Sequence, residues 1–179
     1  MNRPKLQKTI TINRVWAMPS KWTFSIKPIA ELLAKYNVGK GWADPFTGSS
    51  NLAEYRNDLN PENPNAQFHL ESSEFAKTVS ENLTGVLFDP PYSLHNVMQH
   101  YKTFGKEQFC KENPTGNYKT TRDILAKKIK LGGLVISFGW NSVGFGKKRG
   151  FEIIEILLVS HGGNRNDTIV TVERKKLND

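Results

Sequence analysis

At 179 residues the chain is long enough for one sizeable hydrophobic core and short for two. Its one cysteine, Cys110, excludes an internal disulfide framework and stands in a polar stretch with no metal-ligand pattern. No apolar run approaches membrane-spanning length and the N-terminus lacks a signal-peptide apolar core, so a cytoplasmic, membrane-free chain is the expectation.

The net charge of +8 is unevenly spread. Residues 1–40 carry eight Lys/Arg against one acid, residues 41–100 carry two against eight, and residues 101–179 carry fifteen against eight. The basic ends suit a polyanion, whose neutralised phosphates release counterions, and the acidic middle suits a cation. The basic segments are also consistent with solvated faces.

Residues 1–22 read as a basic extension in which Thr9 to Val15 alternates like a short strand. Thr23 to Ile29 leads into a helix through Tyr36, with Ser25 placed to cap it and Pro28 suited to its first turn. Ile29, Leu32, Leu33 and Tyr36 make its apolar face, and Gly39 and Gly41 end it. A short strand then breaks at Asp44-Pro45, passes Gly48 and enters a helix-like stretch, Asn51 to Tyr55. In open α/β sheets ligands sit at the carboxyl ends of strands beside such glycine turns. A phosphate loop would carry a Lys after its glycines; an acid here favours a cationic ligand.

Asp58 lies fourteen residues after Asp44, where an acid at the end of a second strand accepts from ribose hydroxyls. Residues 60–66 form a loop, Gln67 to Leu70 a third short strand ending at Glu71, and Glu74 to Leu83 a helix. The apolar run Val86 to Phe88 reads as a buried strand and stops abruptly in Asp89-Pro90-Pro91-Tyr92. Each proline lacks an N–H and stiffens its neighbour, so the chain leaves the sheet extended, with carbonyls that no helix ladder uses. A carboxylate, a carbonyl at Pro90 and an aromatic ring suit a planar base that bears an exocyclic NH2.

Leu94 to Phe104 is helix-compatible, and residues 105–119 read as either a mobile loop that closes over substrate or a plain connector. Thr121 to Leu131 is an amphipathic helix stopped by Gly132-Gly133, and Leu134 to Phe138 is a buried strand with Gly139 to Ser142 at its carboxyl end. Phe151 to Val159 and Thr168 to Glu173 form a hairpin through residues 161–167, in which His161 has a structural role. Lys147, Lys148, Arg149 and Arg165 read as phosphate contacts, with solvated turns the alternative.

Asp89-Pro90-Pro91-Tyr92 after an apolar strand, with Asp44-Pro45-Phe46-Thr47-Gly48-Ser49 upstream, resembles the S-adenosylmethionine (SAM)-dependent amino-methyltransferases of the DPPY type, most closely the N6-adenine DNA methyltransferases. The resemblance covers roughly residues 24–174. It implies a Rossmann-like class I methyltransferase, α/β, with a mostly parallel central sheet and an antiparallel C-terminal hairpin, as one catalytic domain over residues 1–179. It implies SAM as cofactor. Phe24, Ser25 and Lys27 would then lie near its methionine end, Asp44 near its ammonium, Pro45, Phe46 and Gly48 in the loop around it, Asp58 on the ribose and Glu71 near the adenine. Asp89, Pro90, Pro91 and Tyr92 would be catalytic. Ser49 departs from the commoner glycine-rich form of the loop.

Only fifteen residues separate Glu74 from Asp89, which leaves no room there for a target-recognition domain. Specificity would come from loops, a partner or a second subunit of a homodimer. Cytosine-N4 enzymes more often begin the motif with Ser and protein-glutamine enzymes with Asn, so the leading Asp points to adenine. Ribosomal RNA N2-guanine methyltransferases also use Asp-Pro-Pro. Methyl transfer to N6 of adenine in DNA is therefore the expectation. An RNA base amino-methyltransferase (N2-guanine or N6-adenine) and a catalytically silent nucleic-acid-binding subunit are the alternatives.

Overall fold

Strands β1 (Thr11–Trp16), β2 (Trp42–Asp44), β3 (Tyr55–Arg56), β4 (Leu83–Phe88), β5 (Ile129–Gly139), β6 (Phe151–Ser160) and β7 (Thr168–Lys175) form one sheet in the computed structural model, which describes residues 9–91, 102–103 and 118–177. The order across the sheet is β1-β6-β7-β5-β4-β2-β3. β2 pairs in parallel with β3 and β4, β4 with β5, and β1 with β6, whereas β7 runs antiparallel to both β5 and β6. This is the mostly parallel sheet with an antiparallel C-terminal hairpin that the motifs imply. Because β7 is antiparallel to both of its neighbours, β5 and β6 point the same way, and the carboxyl ends of β1 to β6 all lie at one edge. That edge carries the site.

Burial explains the strands. Val86, Leu87 and Phe88 are covered on both faces, as a central parallel strand requires. Gly85 stands opposite Trp42 in the β2–β4 ladder, and a Cβ there would fall 2.6 Å from the Trp42 ring. Glycine at that position admits a fully buried indole. Helix α1 (Lys27–Lys35) lays Ile29, Leu32 and Leu33 on one face, against Trp42, Leu87, Ile136 and Val170. Helices α2 (Ser72–Thr78) and α3 (Lys119–Lys128) cover the other face with Phe75, Ala76, Leu125 and Ala126.

Several boundaries differ from the sequence expectation. The helix expected to run to Leu131 ends at Lys128, and β5 begins at Ile129 and continues through Gly132-Gly133. Those glycines sit in an irregularity of the β4–β5 ladder, where Thr84 alone of β4 faces residues 130–133 of β5. Gly133 is crowded by Ile129 and by the Lys130 and Thr84 carbonyls, so the pair shapes a strand rather than stopping a helix. The helix expected over Asn51 to Tyr55 is replaced by an irregular stretch and β3, which pairs with β2. The strand expected over Gln67 to Leu70 shrinks to a single bridge between Asn57 and Phe68. Ser25 does not cap α1: Ile26 is the cap residue, and Ser25 Oγ donates to the Trp22 carbonyl at 2.8 Å. The helix expected over Leu94–Phe104 lies almost wholly outside the described residues, as does the 105–119 loop, apart from Tyr118 and Lys119.

Candidate active site

A cavity of about 630 Å³ opens at the carboxyl edge beside the tips of β2, β3 and β4. Asp89, Pro90 and Pro91 line one side, directly after β4. Pro45, Phe46, Thr47 and Gly48, directly after the neighbouring strand β2, line it as well, with Asp58 beyond β3. Phe24 closes another side, its ring tilted against Phe138 at 4.9 Å between centroids. Two sequence motifs separated by some forty residues thus converge on one hollow. Tyr92 lies outside the described residues.

Asp44 lies beneath this hollow rather than on its wall. It is fully buried, and its carboxylate accepts from the Phe46 N–H at 3.0 Å and from Thr47 Oγ1 at 3.3 Å, which folds the loop over it. Burial pushes its pKa up to about 7, and the nearby Asp89 and Asp58 push in the same direction. At neutral pH the loop therefore sits on a carboxyl that a neighbouring positive charge would ionise fully. Gly48 takes a left-handed φ of +50° with open space around it, so its conformation alone demands glycine.

Asn57 and Asn63 hold this arrangement. The Asn57 side chain donates to the Pro45 and Leu70 carbonyls, both at 3.0 Å, and accepts from the Leu70 N–H at 3.0 Å. Its backbone N–H donates to the Asp44 carbonyl. Asn63 Nδ2 donates to the Gly48 carbonyl at 2.6 Å and to Asp58 Oδ2 at 2.7 Å. The remaining Asp58 oxygen accepts from the Asn60 N–H at 2.8 Å. The loop over residues 60–66 thus fastens the acid beyond β3 to the glycine turn after β2.

Behind Asp89 an aromatic stack makes a dry wall. Phe88 meets Phe46 edge-on at 5.4 Å and Phe145 at 5.3 Å, and Tyr118 packs on Phe46 at 4.8 Å. The Arg122 guanidinium lies 5.2 Å from the Phe88 ring, and burial holds its pKa below the usual arginine range. Phe145 belongs to the connection 140–150, which Glu173 staples to β7 by accepting the Phe145 and Gly146 N–H groups at 2.6 and 2.8 Å. Burial pushes the Glu173 carboxyl up, and those two N–H groups oppose that rise.

The other expected site residues lie at more distant positions. Glu71 is buried and caps α2, accepting from the Ser73 N–H and from Ser72 Oγ; Leu70 and Ser72 on either side of it reach the cavity. Ser25 is exposed, and Lys27 is exposed within 4.0 Å of Glu31; neither lines the cavity. Lys147, Lys148 and Arg149 form a 3-10 turn at the amino end of β6, the edge opposite the cavity. Arg149 is engaged there with Asp123 at 2.7 Å and with the Phe145 carbonyl at 2.8 Å. Arg165 is exposed in the β6–β7 turn, on the cavity's edge of the sheet. His161 is buried between the Ala17 carbonyl and Thr168 Oγ1, both at 2.9 Å, in the structural role expected for it.

Neither a protein-family model nor a curated protein sequence matches the chain. Solved structures do. TrmN from Thermus thermophilus superposes with a TM-score of 0.56 at 19% identity, over 84% of this chain and 49% of that one. The chain thus spans about half the length of TrmN. The N-methyltransferase NodS from Bradyrhizobium japonicum matches with a TM-score of 0.52 at 10% identity, over 84% of this chain and 96% of NodS. This is the class I methyltransferase fold. The 1,6-didemethyltoxoflavin-N1-methyltransferase of Burkholderia thailandensis, which holds S-adenosylhomocysteine, shares that fold with a TM-score of 0.51 at 13% identity, over 83% of this chain and 76% of that one.

Proposed function

We propose that the chain is a SAM-dependent methyltransferase acting on the exocyclic N6 amine of adenine in DNA. One observation carries the reading: Asp89-Pro90-Pro91 and the Pro45–Gly48 loop, which the resemblance assigns to target and cofactor, line one cavity. The cavity suits the cofactor. Its volume falls within the range of roughly 300–1,000 Å³ typical of small-molecule pockets. Acids lie at Asp58 and beneath the loop at Asp44 for hydroxyls and a cation, and Phe24 and Phe46 offer apolar surface. The fold shared with a structure holding S-adenosylhomocysteine supports the same choice.

SAM supplies an electrophilic methyl group on a sulfonium. The protein's share is orientation and charge. Asp58 accepts from the ribose hydroxyls, and the Asp44 loop offers its anion to the ammonium. The Asp89 carboxylate and the Pro90 carbonyl accept the two N6–H groups of the target adenine. That draws the lone pair out of ring conjugation and meets the positive charge that builds on nitrogen, so binding is tightest at the transition state. With SAM bound, Asp89 would also be placed to take up, directly or through water, the surplus proton left on nitrogen once the methyl group has passed from sulfur to nitrogen. The Phe46–Phe88 wall keeps the site dry, which strengthens these charge terms. By resemblance Tyr92 stacks on the base.

Incubation with methyl-labelled SAM and DNA or RNA, followed by mass spectrometry of the nucleosides, tests this directly. Label in N6-methyladenine from DNA supports it. Label confined to RNA guanine or adenine moves the assignment to RNA. Absence of both label and SAM binding leaves a silent subunit.

A further inference from the structure

Three of the four tryptophans are on the surface. Trp16, Trp22 and Trp140 are 65%, 46% and 49% exposed, while Trp42 is core. Indoles left in water forgo a large burial gain, and a cluster of them marks a binding surface. All three occupy the carboxyl edge of the sheet. Trp16 ends β1, Trp140 directly follows β5, and Trp22 stands on the rim of the cavity. With neighbouring strands ~4.8 Å apart, the four steps from β1 to β4 put the tip of β1 about 19 Å from Asp89.

Cations stand near the two end rings, Trp16 and Trp22. The Lys21 ammonium lies 4.5 Å from the centroid of the Trp22 ring. Arg165 is exposed in the β6–β7 turn, and Trp16 lies against that turn: a Cβ at Gly162 would stand 3.4 Å from its Nε1. Exposed rings with cations nearby suit an unpaired strand, whose bases present their faces for stacking while the phosphates track beside them. A duplex hides those faces, so it would gain little from exposed indoles. A second copy of this chain, also at +8, would be repelled.

Resting on the methyltransferase reading above, we propose that the row from Trp16 to Trp22 is a stacking track that holds single-stranded DNA and delivers an unpaired adenine to Asp89. At 3.4 Å per stacked base the ~19 Å from the tip of β1 to Asp89 accommodates about five or six nucleotides. An unpaired substrate also needs no extrusion from a duplex, the cost that base-flipping enzymes meet.

The test is fluorescence anisotropy with the full chain. The probe is a short fluorescein-labelled DNA strand containing one central adenine, offered alone and annealed to its complement. Wild type should bind the single strand at least about ten-fold more tightly than the duplex, and Trp16→Ala should weaken single-strand binding by about 5- to 150-fold. Trp16→Phe should keep most of the affinity, and Trp16→Ala should bind SAM like wild type in calorimetry, which shows that it is folded. Equal binding of the two probes overturns the track, as does single-strand binding indifferent to Trp16→Ala. So does a dimer in sedimentation that Trp16→Ala dissociates without loss of strand affinity. SAM binding and methyl transfer without strand preference would sink the track alone. Strand preference without SAM binding would sink the methyltransferase reading and leave the track standing.

Discussion

Asp44→Asn should change stability and ligand binding in opposite directions. Burial, aided by the nearby Asp89 and Asp58, pushes the folded carboxyl up from an ordinary 3.8 to about 7. Between about pH 4 and 7 the folded protein therefore holds a proton that the unfolded chain has released, so stability falls as pH rises through that window and levels off above it. About three pH units at ~1.4 kcal/mol each set a ceiling on the order of 4 kcal/mol. Asparagine is isosteric: its Oδ1 can accept from the Phe46 N–H and its amide can donate to Thr47 Oγ1, so the loop keeps its fold and loses its titration. Urea unfolding at pH 5 and pH 8 should show wild type losing roughly 2–3 kcal/mol more than the variant, since about two pH units of that window lie above pH 5. The same substitution removes the anion under the proposed ammonium site, so SAM affinity in calorimetry should drop. Wild-type affinity should rise with pH through about 7, as a bound cation expels the proton. Equal pH slopes in the two proteins, or unchanged SAM affinity, would refute the reasoning.

Asn57→Ala should cost about 2–4 kcal/mol in urea unfolding, since it strands the Leu70 N–H and two carbonyls in a buried setting, and it should loosen SAM binding with it; a cost below about 1 kcal/mol would show that water replaces those contacts. Gly144→Ala should destabilise by about 1–3 kcal/mol more than Gly150→Ala. Both glycines have left-handed φ, but a Cβ at Gly144 would fall 2.2 Å from Glu173 Oε2, whereas Gly150 has open space; equal costs would mean that the Glu173 staple yields freely.

The elements that were legible in the sequence were those whose patterning is local. Val86 to Phe88 and the two strands of the C-terminal hairpin are apolar runs bounded by Pro, Gly or Asn, and each forms a strand where its composition places it. Ile129 to Leu131 misled because a short apolar stretch continues a helical period as readily as it starts a strand; the tie was broken by the irregularity at Gly132-Gly133 and pairing with β4. At the site, Asp89 and Gly48 announced themselves through their neighbours. Asn57, Asn63 and Tyr118 did not. An asparagine in a polar stretch looks like any loop residue until the carbonyls it ties together, those of Pro45, Leu70 and Gly48, arrive from elsewhere in the chain. Tyr118, buried in a left-handed conformation at the start of α3, likewise gains its place on the cavity wall only from Phe46 and Phe88 packing around it. Sequence could not show that the basic turn Lys147–Arg149 stands at the start of β6, on the edge remote from the cavity, or that Arg149 engages Asp123.

Wild type and Asp89→Ala compared side by side, for SAM affinity by calorimetry and for methyl transfer to adenine in DNA, probe the central claim most directly. The account predicts that both bind SAM within a few-fold of each other and that only wild type makes N6-methyladenine. Undiminished transfer by Asp89→Ala, or loss of SAM binding together with transfer, would contradict it.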